Sequence, residues 1–261
     1  MAETVRHARP TARLSAALKR QDWVAVAIEL LVVVIGVLVA LELNQWAEQR
    51  ETHALEHSYL LRLRDDLQME RGEAQLFRRT VANRLTAIGL LERIAGDPSA
   101  TVADPRMIPW AIETVSWGSF PPVHNISYSE LQSTGRTNLI RSVELRRALA
   151  EHYAIIADLQ IPAQDRTGEE RFDSKTTGLL STEESMAVEE ADGDYKRMPQ
   201  ISAVRARAIA EGFANRRSAV DELPALAEHH VFDRRIIDGM QSRIDALTRL
   251  INQQLGEDGS G

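Results

Sequence analysis

The sequence predicts an all-α protein in which one N-terminal transmembrane helix continues into a long exported helix. That helix packs against a long C-terminal helix in an antiparallel helical bundle. Three observations predict this fold. Residues 24–41 form an almost unbroken apolar run. Apolar residues recur at 3-4, coiled-coil-like spacing in one long segment near each end of the exported region. Aromatic residues are 5% of a chain rich in Ala, Leu, Arg and Glu, which favours helix over sheet.

The apolar run is long enough and apolar enough to cross a membrane. Thirteen of its eighteen residues are Val, Ile or Leu. On insertion scales these contribute about −4 to −8 kcal/mol, whereas the acid within the run, Glu29, costs at most ~3 kcal/mol. Trp23 and Trp46 would lie ~35 Å apart on a helix, which suits a hydrocarbon layer of ~30 Å. We therefore predict a transmembrane helix over 23–46, with both tryptophans as interface anchors.

The charges beside this helix predict its orientation. Residues 1–22 carry five basic and two acidic side chains, a net +3, so this basic tail is expected in the cytoplasm and the rest of the chain outside it. A cleaved signal peptide and a buried core helix of a soluble protein are the alternatives. Cleavage needs small residues that 38–43 do not supply, and a soluble helix seldom stays apolar on every face. A retained anchor is expected.

The exported region is acidic. Because the whole chain carries −7, the tail +3 and the membrane segment −2, residues 47–261 carry −8. This charge argues against nucleic acid and anionic lipid headgroups as partners. The chain has no cysteine, which excludes disulfides, thiolate zinc sites and cysteine nucleophiles. We expect a periplasmic helical domain over 47–255 and a disordered tail over 256–261.

The first exported helix is predicted to continue from the membrane to about Ile94 and to end at Gly96. The last helix is predicted to open at Pro224 and to end near Leu255. The seam of the first helix comprises Leu60, Leu63, Leu67, Ala74, Phe77, Val81, Leu85, Ile88 and Leu91. The seam of the last comprises Ile236, Ile237, Met240, Ile244, Leu247, Ile251 and Leu255. Two such seams predict antiparallel packing.

Caps and helix breakers predict the shorter helices between these two. They are expected at about 104–117, 127–135, 143–160, 163–180 and 202–221. Ser127 and Glu130 have capping-box spacing, Gly135 is a helix stop, and Ser142 can cap the helix that follows. Residues 181–200 are acidic and rich in turn residues, so they are predicted to form an exposed, flexible loop.

One face of the transmembrane helix is a candidate contact surface. Glu29, Val33, Gly36 and Ala40 fall within about 40° of one line along the helix. The pair Gly36-x-x-x-Ala40 lets two helix backbones approach closely. The hypothesis is a helix–helix contact face in which Glu29 is protonated or bonded to a polar group of the partner. In the alternatives, Glu29 leans toward the headgroups and Gly36 is incidental, or Glu29 carries protons in a membrane complex.

Other patterns are weaker, and no catalytic, cofactor-binding or metal-binding residue is predicted from them. His53 and His57 have zinc-compatible i, i+4 spacing but no third ligand, and His229-His230 is expected at the other end of the bundle. The remaining candidates are the acids Glu189, Glu190, Asp192 and Asp194, the segment Ser133–Arg136, the pair Glu151-His152, and Trp110 with Trp117. We expect all of these residues either to be solvated at the surface or to pack in the core.

The order of several motifs resembles a known family. The first is Glu29-x6-Gly36-x3-Ala40-Leu41-x2-Asn44-x-Trp46, followed by Tyr59-Leu60-x2-Leu63-x2-Asp66-Leu67. The third is Tyr128-x-Glu130-Leu131-x-Ser133-x-Gly135, with Leu139-Ile140, Leu145-Arg146 and Leu149-x3-Tyr153 after it. Together they resemble a family of bacterial single-pass membrane proteins known only as a domain of unknown function. The resemblance covers about half the chain and implies an inner-membrane anchor, a helical exported domain and no assigned activity.

These features predict a membrane-anchored interaction or scaffold protein of the bacterial envelope rather than an enzyme. Its expected partners are the lipid bilayer and, through the transmembrane helix, another protein or a second copy, with no nucleic acid and no cofactor. The alternatives are a periplasmic ligand-sensing subunit that signals through a partner membrane protein, and a proton-carrying subunit that uses Glu29.

Overall fold

The computed structural model describes residues 11–100, 102–118, 120–163 and 166–258. Within these ranges the chain forms nine α-helices and no strand, which confirms the all-α prediction. The helices are α1 (Thr11–Gly96), α2 (Met107–Thr114), α3 (Ile126–Ser133), α4 (Val143–Ala163), α5 (Thr167–Thr176), α6 (Thr182–Glu190), α7 (Ala203–Ala214), α8 (Arg217–Val220) and α9 (Leu223–Asp258). Short 3-10 helices lie at Thr137–Leu139 and Tyr195–Arg197.

The first and the last helix both extend further toward the chain ends than predicted. The basic tail predicted over 1–22 is helical from Thr11 onward, and its residues 1–10 lie outside the described residues. Helix α9 runs to Asp258, three residues past the predicted end at Leu255, because a glycine such as Gly256 costs a helix only about 1 kcal/mol. The rest of the predicted disordered tail, 259–261, also lies outside the described residues.

The chain divides into two units, one ending at Glu56 and one beginning at His57. The described part of the first unit is helix α1 alone. Every side chain described there from Val26 to Ala54 is exposed. Among the described residues, one helix is by length and composition apolar enough to cross a membrane. Its exposure does not fit the alternative of a helix buried in the protein's own core.

The second unit is built on an antiparallel seam between α1 and α9. Three ion pairs show that the two helices run in opposite directions, because their residue numbers rise along α1 and fall along α9. They join Arg71 to Asp245 at 2.6 Å, Arg78 to Asp238 at 3.4 Å and Arg84 to Asp233 at 3.6 Å. All predicted seam residues are buried except Leu85 and Leu255, which are half-buried. The antiparallel bundle is therefore confirmed.

Helix α3 begins differently from the prediction. The expected capping box at Ser127 and Glu130 is wrong, since Asn125 is the N-terminal boundary and Ser127 lies inside the helix. The buried Asp66 of α1 instead accepts a hydrogen bond from the Ser127 backbone N–H, at 2.9 Å. Glu130 is drawn to α1 as well, where Tyr59 and Arg62 donate to its carboxylate. Tertiary contacts with α1 thus take over the role of the local cap.

Two other predicted signals are confirmed. Gly135 ends α3 with φ of +66°, and the Arg136 N–H returns to the Leu131 carbonyl at 2.8 Å, as in a Schellman motif. The Ser142 hydroxyl caps α4 by accepting from the Leu145 N–H at 3.1 Å.

The prediction of a loop over 181–200 is wrong for its first half. Helix α6 starts there with a complete capping box, in which the Ser181 hydroxyl accepts from Glu184 N–H and the Glu184 carboxylate accepts from Ser181 N–H. Arg205 of α7 also donates to both oxygens of Glu184, each at 2.7 Å, and this pairing lowers the pKa of Glu184. Val188 and Met198 are buried in the core. The sequence contains this cap, but the acidic composition of the segment led to the prediction of a loop.

The end of this segment is held by a tight turn. Asp192 and Gly193 have positive φ of 50° and 76°, and the Asp194 N–H closes the turn onto the Ala191 carbonyl at 3.1 Å. The Gly193 carbonyl then accepts from the Trp110 indole N–H of α2 at 2.9 Å. The acidic segment is thereby attached to the core by its backbone.

The capping box makes a stability prediction. Ser181→Ala should lower the free energy of unfolding by about 1 kcal/mol, because the Glu184 N–H loses its acceptor. Urea unfolding of the full chain in detergent micelles, followed by circular dichroism, measures this. Ser242→Ala is the control, since Ser242 is an exposed mid-helix serine of α9; it should change stability by no more than about 0.5 kcal/mol. Equal effects of the two variants would refute the role of the cap.

Candidate functional site

The predicted contact face is exposed on α1. Glu29, Val33, Gly36 and Ala40 all lie at the surface. A Cβ atom added at Gly36 would meet no atom within 4 Å outside the helix's own backbone. The face is therefore not covered by the residues that the structure describes, and none of their contacts accounts for its small residues.

The two predicted interface anchors are also exposed. Trp23 and Trp46 bound the apolar run, and the Arg50 guanidinium lies 4.2 Å from the centre of the Trp46 ring. Two residues earlier, the Asn44 amide donates to the Glu48 carboxylate at 2.8 Å. Polar and charged groups thus begin directly where the apolar run ends, as they do at a membrane–water interface.

The weaker sequence patterns are placed apart from one another. His53 and His57 are exposed, as are Glu189, Glu190, Asp192 and Asp194. Ser133 and Thr134 belong to the end of α3, so Gly135 serves as a helix stop and not as a phosphate loop. Trp110 is buried against Tyr195, whereas Trp117 is half-buried beyond the end of α2. None of these groups forms a convergent site in the part of the chain that the structure describes.

A buried polar pair lies in the middle of the bundle. His152 of α4 and Glu70 of α1 are both 0% exposed, and the His152 Nε2 lies 2.9 Å from Glu70 Oε2. Glu70 Oε1 and His152 Nδ1 have no hydrogen-bond partner among the residues that the structure describes. The neighbouring Tyr153 stacks on Tyr128 with ring centres 4.7 Å apart. Burial, and next the carboxylates of Glu70 and Asp66, raise the pKa of Tyr153.

His152 thus pairs with Glu70 of α1 and not with Glu151, its neighbour in the sequence. Glu151 is exposed on the other side of α4, while His152 faces α1. Because both Glu70 and His152 are fully enclosed, a substrate cannot reach either group in this conformation. Their arrangement fits a polar contact that fixes how α4 sits on α1.

A second polar cluster lies where α5 meets α9. Glu169 of α5 and His229 and His230 of α9 each offer a ligand atom, and these three atoms lie within 4.8 Å of one another. His230 is fully buried, and its Nε2 lies 2.9 Å from the Val115 carbonyl oxygen. Among the described residues, this is the one group of three or more such side chains with ligand atoms so close together.

Asp233 completes this cluster from the next turn of α9. Its Oδ2 lies 3.5 Å from His230 Nδ1 and 3.7 Å from His229 Nε2. The Arg84 guanidinium of α1 approaches the same oxygen at 3.6 Å. Burial lowers the pKa of Arg84 to about 10, and the charges of Asp233 and Glu169 oppose the shift. Two carboxylates, two imidazoles and a buried cation therefore converge here.

Sequence reasoning missed this cluster for an identifiable reason. The doublet His229-His230 with Asp233 one turn later is visible in the sequence, and all three share α9. The fourth member, Glu169, lies sixty residues earlier on a helix whose docking position no local pattern indicates. Only the packing of α5 on α9 brings it within reach.

Comparison with known proteins adds no relative. No protein-family model matches this chain, and no curated protein or solved structure matches it.

The buried pair predicts strongly coupled substitutions. Glu70→Leu and His152→Leu should each lower the free energy of unfolding by about 3–5 kcal/mol, because each leaves one buried polar partner unpaired. The double variant should cost clearly less than the sum of the two, since no orphaned group remains. Urea unfolding of all four proteins of the cycle measures this coupling, and strictly additive losses would show that the pair does not interact.

Proposed function

We propose that this chain is a membrane-anchored helical interaction protein of the bacterial envelope. Residues 23–46 span the inner membrane, the N-terminal tail is cytoplasmic and the bundle is periplasmic. The face formed by Glu29, Val33, Gly36 and Ala40 receives the helix of another membrane protein or of a second copy. The bundle presents a rigid scaffold, and no catalytic activity is assigned to it.

The observation that carries this proposal is the exposure of the apolar run. From Val26 to Leu43 its Val, Ile and Leu side chains are exposed, and none of the other described residues covers them. Contiguous apolar surface of this extent marks a membrane or interaction surface. The net +3 of residues 1–22 supports the orientation.

The contact face supports a protein partner in addition to lipid. A carboxylate such as Glu29 is costly in hydrocarbon unless it is protonated or bonded to a polar group. On the same line, Gly36 and Ala40 would let a second backbone come close enough to supply such a group. A helix surrounded by lipid alone gains nothing from small residues at these positions.

Cross-linking tests the contact face directly. The chain has no cysteine, so Gly36→Cys and Val34→Cys each introduce a single thiol, about 200° apart around the helix. Each thiol is coupled to a photoreactive maleimide in native membranes and irradiated. We expect several-fold more adduct at Gly36, because only this position faces the partner.

The adduct mass then identifies the partner. A mass of twice the chain indicates a second copy, and another mass indicates a different subunit, which mass spectrometry can name. Equal adduct yields from the two positions would contradict the contact face.

A further inference from the structure

We propose that Glu169, His229 and His230 bind a zinc ion that clamps α5 to α9, with Asp233 beside it. This proposal goes beyond the anchoring role and is independent of it. It rests on the hydrogen bond that orients the His230 ring, on the closeness of the three ligand atoms, and on their burial.

The hydrogen bond to Val115 fixes the His230 tautomer. A carbonyl oxygen only accepts, so the ring nitrogen 2.9 Å from it, Nε2, must carry the proton. In a neutral ring Nδ1 then presents a lone pair that can bind a metal ion, and it lies 3.5 Å from Asp233 Oδ2. Histidines that ligate metals donate their other ring N–H to a carbonyl or carboxylate in the same way.

The ligand atoms of the cluster lie close together. Those of Glu169, His229 and His230 all lie within 4.8 Å of one another. With zinc–ligand bonds of 2.0–2.2 Å, the ligand atoms of a tetrahedral site are separated by roughly 3.3–3.6 Å. His229 Nε2 already lies 3.4 Å from Glu169 Oε1.

The cluster is enclosed and charged. Glu169, Asp233 and Arg84 are all nearly enclosed, with side chains 3%, 7% and 2% exposed. Arg166 lines the same cavity, and its guanidinium donates to the Ser116 carbonyl. Arg84 approaches Asp233, so this carboxylate can remain the partner of Arg84 while Glu169 binds the ion.

The donor set and its burial indicate which ion binds and how it enters. Two imidazoles with one carboxylate suit zinc, and the chain has no cysteine to offer a softer site. A water molecule would take the fourth position of a tetrahedral ion. His229, 31% exposed, marks the side from which the ion enters.

Metal binding to the full chain tests the proposal. The protein is purified in detergent micelles on a tag without histidine, treated with a chelator and titrated with Zn²⁺ by calorimetry. We expect one ion per chain and a rise in the thermal unfolding midpoint, because an ion that binds only the folded state stabilises it. Co²⁺ in the same site should show the intense visible absorption of four-coordinate cobalt.

Variants assign the binding to these residues. His229→Gln and Glu169→Gln should each weaken Zn²⁺ binding about tenfold or more and reduce the thermal shift. The matched control, His53→Gln with His57→Gln, removes an exposed histidine pair and should bind Zn²⁺ like the parent. Circular dichroism without metal verifies that each variant is folded. Failure of the parent chain to bind Zn²⁺, unchanged affinity in both cluster variants, or loss of binding in the control would each overturn the proposal.

Discussion

The exposed apolar surface of α1 is the constraint on which the rest of the molecule depends. Burying a Val, Leu or Ile side chain is worth about 1.5–3 kcal/mol, and from Val26 to Leu43 these side chains remain uncovered by the chain itself. In water this surface would be an aggregation hazard, whereas a bilayer removes the penalty. The same helix supplies one half of the α1–α9 seam beyond His57. The exposed apolar run and one side of the seam thus belong to the same helix.

Polar groups fix how the other helices attach to this seam. Along α1, Asp66 holds the start of α3, Glu70 holds α4, and Arg84 reaches the cluster on α9. Buried polar contacts of this kind contribute little net stability, because desolvation offsets most of their attraction. They penalise any alternative register, since a shifted helix would leave a buried charge unpaired. The apolar seam therefore supplies the stability, and the polar contacts select one arrangement.

Sequence patterns predicted the features that local chemistry determines. The extent of α1 to Gly96, the two apolar seams, the stop at Gly135 and the cap at Ser142 all follow from periodicity and cap residues. The predictions were wrong where distant contacts decide, as at Ser127, whose N–H is bound by a side chain sixty-one residues away. The cap at Ser181 was visible in the sequence, but the acidic composition of residues 181–200 led to the prediction of a loop there. The cluster around His230 needed the packing of α5, which no local pattern specifies.

The central claim is that one apolar helix holds the bundle outside the cytoplasm. Labelling of single cysteines in cells with a permeabilised outer membrane tests it most directly, since the chain has none of its own. Val204→Cys, at a position 82% exposed on α7, should react with a membrane-impermeant maleimide while the inner membrane is intact. Ala12→Cys in the basic tail should react only after lysis. Protection of Val204→Cys until lysis, or recovery of the labelled chain in the soluble fraction without detergent, would contradict the account.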